Sequence, residues 1–109
     1  MKINVLGTDY EIVFSSGKDD ELINDSCDGY CDKSAKKIVV TTDNEDLSDF
    51  VFYQKKILRH EIIHAFMYES GLDCNWHHAD EWGHDETQVD WFAIQAPKLF
   101  EAFKLADAL

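Results

Sequence analysis

The chain has 109 residues, 45% of them hydrophobic and 13% aromatic, and 10 basic against 22 acidic residues give it a formal net charge of -12. That length fits one domain, residues 1–109, and the apolar content supports a packed core, which excludes a disordered chain. So acidic a surface repels phosphate backbones, which argues against ordinary nucleic-acid binding, and no apolar run approaches the roughly 18–20 residues that span a bilayer. The amino terminus lacks the uninterrupted apolar stretch of a signal peptide, and three cysteines do not make a disulfide framework, so a reducing cytoplasm is the expected compartment.

In chain order, Ile3 and Val5, then Tyr10, Ile12 and Phe14, alternate with polar neighbours and predict two strands, with "GTD" between them as a turn signal. Residues 15–28 are polar and acidic, a loop with a short helix around Leu22. "DGYCDKSAKKIVVTT" predicts a hairpin, punctuated at Asp28-Gly29 and over Lys33–Ala35, with Ile38, Val39 and Val40 as its β-branched run. "DNEDLSD" offers helix-capping residues. From about Leu47 to Glu69 the period becomes helical, with Phe50, Tyr53, Ile57, Leu58, Ile62, Ile63 and Phe66 on the apolar face, and Gly71 is a suitable C-cap. Residues 72–85 form a loop rich in aromatics and histidines. A second helix begins at Glu86, with Val89, Phe92, Ala93 and Ala96 expected on its docking face. Pro97 is expected to break or kink it, ahead of a last helical segment carrying Leu99, Phe100 and Phe103.

The segment "RHEIIHAF" places His60, Glu61 and His64 inside the first of these helices. Residues four apart on a helix point in nearly the same direction, so His60 and His64 can offer imidazole nitrogens to one ion. Glu61 lies beside them, near enough to reach a water at that ion without being a ligand. This is the HExxH arrangement of zinc peptidases. Two histidines and a glutamate are costly to desolvate within an apolar helix, and a metal gives them a reason to be there. The long form of the motif requires a glycine and a third histidine where this chain has Met67 and Ser70, so that class is excluded. A third ligand must come from "HHADEWGHDETQVD", with Glu86 preferred, then His84, then Asp90.

"RHEIIHAF" followed by "ETQVDWFAIQAPKL" resembles the ImmA/IrrE-like metallopeptidases, in which a glutamate on the next helix precedes a small residue, Asn or Asp, and Phe-Ala. Glu86, Val89, Asp90, Phe92 and Ala93 stand at the matching spacing, with Val89 where the family has alanine. The resemblance covers about the second half of the chain and extends to short phage-encoded proteins of this layout. It implies Zn2+ held by His60, His64 and Glu86, with Glu61 as general base. The implied activity is endoproteolysis of a cytoplasmic protein or peptide substrate, in some relatives a repressor. The implied fold is α+β and zincin-like: a small antiparallel sheet packed on the HExxH helix, with a C-terminal helical segment closing the site. "KKIVVTT" is then expected to lie along the cleft and pair with an extended substrate.

Other groups carry weaker signals. Cys27, Cys31 and Cys74 with His77 and His78 suggest a second zinc on paper, but buried reduced thiols are the default. Tyr30, Tyr53, Tyr68, His77, His78 and His84 are the side chains able to stabilise an oxyanion. Trp76, Trp82 and Trp91 are expected to pack beneath the loop. Two other function classes fit the chain: a metal-stabilised binding protein without activity, and an acidic inhibitor that mimics nucleic acid. Zinc content and Glu61→Ala separate these from a peptidase.

Overall fold

The computed structural model describes residues 1–25, 27–42, 48–74 and 86–109, leaving aside the side chains of 24, 25, 86, 89, 90 and 93. Strand β1 (Lys2–Val5) turns at Leu6-Gly7 into β2 (Thr8–Ser15). The expected alternation holds: Ile3, Val5, Tyr10 and Ile12 are buried, while Lys2, Asn4, Asp9 and Glu11 face solvent. Phe14 shares their face but is 46% exposed, in an open cleft with Met1, Val51 and Leu58. Helix α1 (Glu21–Asp25) leads to the hairpin of β3 (Gly29–Asp32) and β4 (Lys37–Thr41). Helix α2 (Phe50–Ser70), a single 3-10 turn (Leu72–Cys74) and helix α3 (Glu86–Leu105) complete an α+β fold.

The sheet is mixed, in the order β1-β2-β4-β3, which corrects the expectation of an antiparallel one. β1–β2 and β3–β4 are antiparallel, but β2 and β4 run parallel, from Glu11 opposite Lys37 to Ser15 opposite Thr41. The reason lies in residues 16–28. The chain leaves β2 and enters β3 at the same end of the sheet, skipping one strand position, and β4 fills that slot on its return. Part of this connection covers the sheet face opposite α2. Tyr30 points away from α2 and donates to Asp20 at 2.6 Å, while Ile23 of α1 and Val39 are buried apart from the main cluster. β4 therefore has strands on both sides. It is not the edge that could receive a substrate.

The main core lies between the sheet and the two long helices. On α2, Ile57, Leu58, Ile62, Ala65 and Phe66 are buried, each large apolar side chain contributing about 1.5–3 kcal/mol. Asp49 caps the helix by accepting from the Phe52 amide at 3.2 Å, and Gly71 ends it at φ 81°, a conformation that suits glycine because it has no Cβ. The helix starts a few residues after Leu47, which lies outside the described residues.

α3 runs back along α2. Trp91 Nε1 donates to Ser70 Oγ at 2.9 Å near one end, and Arg59 Nη1 donates to the Ala108 carbonyl at 2.6 Å near the other. Among the described side chains the docking face consists of Trp91, Leu99 and Ala102, with Phe103 packed against the core and Ala106 buried just past the helix end. Of the residues expected there, Phe92 (42% exposed) and Ala96 are outside it, and Val89 and Ala93 lie outside the described side chains, so the described part of the helix is turned from the orientation its sequence suggested. Pro97 does not break α3. It sits on the exposed side, where water can take the carbonyl that its missing N–H leaves free. Among the described residues no helix is long and apolar enough to cross a membrane.

Candidate metal centre

His60 and His64 come together as the helical spacing requires. Their Nε2 atoms are 3.0 Å apart, with ring centroids at 4.7 Å and planes at 68°. Two nitrogens bound to one zinc at tetrahedral geometry lie roughly 3.3 Å apart. The contact is a hydrogen bond between the two rings, and it holds the two nitrogens near the separation that one zinc would require. His60 is exposed and His64 half-buried. Burial pushes the His64 pKa below its usual value, a positive His60 pushes the same way, and Asp73 opposes them. The neutral imidazole so favoured is the form that binds metal.

Glu61 is 7% exposed, and among the described residues nothing hydrogen-bonds its carboxylate. Burial lifts its pKa above the ordinary value, partly countered by His60. Its position depends on Gly29. A Cβ there would meet Ile57 Cγ2 at 2.6 Å, the Val39 carbonyl oxygen at 3.1 Å and Glu61 Cγ at 3.4 Å. Only glycine lets β3 press this closely on α2. In the sequence Gly29 reads as turn punctuation, whereas in the fold it is the first residue of a strand and acts through its missing side chain.

Cys31 shares the face of Gly29 and is half-buried; burial, with the charge of Glu61 next, pushes its thiol up to about 12. It remains a thiol at neutral pH. Tyr68 extends the row of His60 and His64 by another four residues. Its ring stacks on His64 at 6.2 Å and 21°, and Lys33 Nζ lies 5.1 Å above it. Burial first, then Cys31, Asp73 and Glu61, raise the phenol pKa. Lys33 also approaches Asp73 at 3.9 Å, an exposed pair that contributes little to stability. Of the oxyanion candidates, Tyr68 is therefore the described one beside the histidines. Tyr30 is held by Asp20 on the other face of the sheet, and Tyr53 donates to Asp28 at 2.6 Å. His77, His78 and His84 lie outside the described residues, as do Trp76 and Trp82.

Glu86 opens α3. Its carboxylate and that of Asp90 lie outside the described side chains. Among the described residues no group of three His, Cys, Asp or Glu side chains converges on a metal position, so a metal at the histidine pair would require a further ligand from outside them. Cys27, Cys31 and Cys74 are free thiols, and Cys27 Sγ donates to the Leu22 carbonyl at 3.3 Å.

The edge nearest this site is β3, with no further strand beyond it among the described residues. The Thr41 amide donates to the Asp28 carbonyl at 2.8 Å. Bonded pairs alternate along an antiparallel ladder, so Tyr30–Val39 and Asp32–Lys37 are bonded too, and Gly29 and Cys31 turn their backbone groups outward. No family model, curated protein or solved structure matches the chain.

Proposed function

We propose that the chain is a zinc-dependent endopeptidase acting on a protein or peptide substrate, with His60, His64 and Glu86 as metal ligands and Glu61 as general base. The observation that carries this reading is the pair of Nε2 atoms 3.0 Å apart beside Glu61, a 7% exposed residue whose carboxylate makes no hydrogen bond among the described residues. A carboxylate left without a protein donor is open to water or a ligand beside the histidines. Zinc, when bound, supplies a Lewis acid for the water and the scissile carbonyl. Glu61 takes the proton of the attacking water and delivers it to the leaving amine, and the raised proton affinity of a buried carboxylate suits a group that must hold a proton between two steps. Tyr68 is the donor assigned to the oxyanion. The outward backbone groups of Gly29 and Cys31 receive the substrate as an added strand, in the place expected of "KKIVVTT". The resemblance to ImmA/IrrE-like proteins suggests a cytoplasmic regulator, such as a repressor, as the substrate.

Elemental analysis of protein purified without chelator is expected to find one zinc per chain, lost in His60→Ala/His64→Ala. In chelator competition Glu86→Ala should cause the largest loss of affinity, Asp90→Ala about 10–100-fold, and His84→Ala little. A largest loss from His84→Ala would make this a three-histidine site. Zinc without any cleavage in a proteome-wide screen would favour the binding protein, and absence of zinc the acidic mimic.

A further inference from the structure

The outer face of α3 carries Ile94, Lys98, Glu101 and Leu105, at successive spacings of four, three and four residues. On a helix this spacing forms one seam. All four are exposed, Ile94 to 64% and Leu105 to 59%. The order along the seam is apolar, basic, acidic, apolar. Turned end for end, it places each residue against its complement. We infer that α3 is a self-association surface, on which a second copy of this chain packs antiparallel about a two-fold axis passing between residues 99 and 100. That axis sets Lys98 against Glu101 of the partner subunit twice, and Ile94 against Leu105 of the partner subunit twice.

Three observations favour a second copy as the occupant. Among the described residues neither Lys98 nor Glu101 forms an ion pair within its own chain, so both charges are available. Residues 91–106 hold two lysines and one glutamate, in a chain whose net charge is -12. Two copies repel one another over most of their surfaces, and this stretch is where they can approach. An open groove of about 590 Å³ also flanks the seam, with Leu6 and Gly7 on one wall and Pro97, Lys98 and Leu105 on the other. It offers a hollow for the ridge of an opposing helix. The seam is about 16 Å long, which makes a small interface and hence a weak, concentration-dependent dimer.

Sedimentation equilibrium of the full chain tests this. The wild type is expected to dimerise at about 10–100 µM. Lys98→Glu and Glu101→Lys each create two like-charge contacts and should weaken the dimer by at least about tenfold. Both sites are exposed, and circular dichroism confirms that each variant folds. Mixing the two single variants should restore association as a heterodimer, because each then meets its opposite charge, and the doubly swapped Lys98→Glu/Glu101→Lys chain should dimerise with itself. A wild type monomeric at about 0.5 mM, single variants that dimerise as tightly as the wild type, or a mixture that stays monomeric would each overturn the inference.

Discussion

Glu61 and Glu69 stand on the same helix, both turned toward the strands, and their surroundings drive them in opposite directions. Glu69 accepts from Lys36 Nζ at 2.6 Å, Tyr10 Oη at 2.8 Å and Thr8 Oγ1 at 3.3 Å. These donors, Lys36 first and Tyr10 next, hold its pKa below the usual range. Glu61 is more deeply buried, makes no such bond among the described residues, and has its pKa raised. With three donors a carboxylate ties a helix to a sheet. With none, beside two converging imidazoles, it is free to exchange a proton. On the proposed function, the comparison separates a residue kept for stability from one kept for chemistry, though both are glutamates facing the same sheet.

The largest expected effect is on Glu61. Glu61→Gln should lower hydrolysis of whatever substrate a cleavage screen identifies by about 10²–10⁴-fold, with zinc stoichiometry unchanged. Loss of the metal in this variant would show that Glu61 is a ligand and remove the contrast.

Glu69→Gln comes next, and its effect is on stability alone. Lys36 and Tyr10 lose their acceptor charge, which should cost about 1–2 kcal/mol in denaturant unfolding at neutral pH. The pH dependence has a definite sign. A native pKa below the unfolded value of 4.5 means that Glu69 stabilises fully above that value, and that its contribution is lost as pH falls through the lower native one. The gap between wild type and Glu69→Gln should therefore close on acidification. For Glu61 the sign is reversed. Its raised pKa favours the native state below 4.5 and penalises it as pH rises, so in chelator-stripped protein Glu61→Gln should gain stability at neutral pH. Equal losses in the two variants would erase the distinction.

The smallest effect belongs to Ser70→Ala, which leaves the Trp91 indole whole and removes the acceptor of its hydrogen bond. A loss of about 0.5–1.5 kcal/mol in the unfolding midpoint is expected, with the pH behaviour of both glutamates unchanged.

Much of this was legible in the sequence because it is local. Alternation located β1 and β2, Gly71 marked the end of α2, and four-residue spacing was enough to pair His60 with His64. What depends on non-local packing was not. Nothing in "KKIVVTT" shows that β2 will pair parallel with it, because that follows from where residues 16–28 carry the chain. The docking face of α3 misled because Phe92 and Ala96 look as apolar as Trp91 and Leu99, and the choice is made by contacts such as Trp91 with Ser70. Gly29 was visible as a residue, but its use depends on Ile57 and Glu61 lying across from it. Tyr68 was one of six oxyanion candidates, and its place four residues after His64 could have singled it out.

The parallel seam between β2 and β4 also has a kinetic consequence. β1–β2 and β3–β4 are local hairpins, of a kind that closes in about 1–10 µs. The pairing of Glu11 with Lys37 through Ser15 with Thr41 joins them only after residues 16–28 have been looped out. Contact order therefore favours a route in which two hairpins form first and then meet. Because β4 faces β2 on one side and β3 on the other, a hairpin already formed presents β4 to β2 as an ordered strand. Stabilising the Asp32–Lys36 turn should therefore speed folding more than stabilising the Leu6-Gly7 turn, whose strand β1 lies outside the seam.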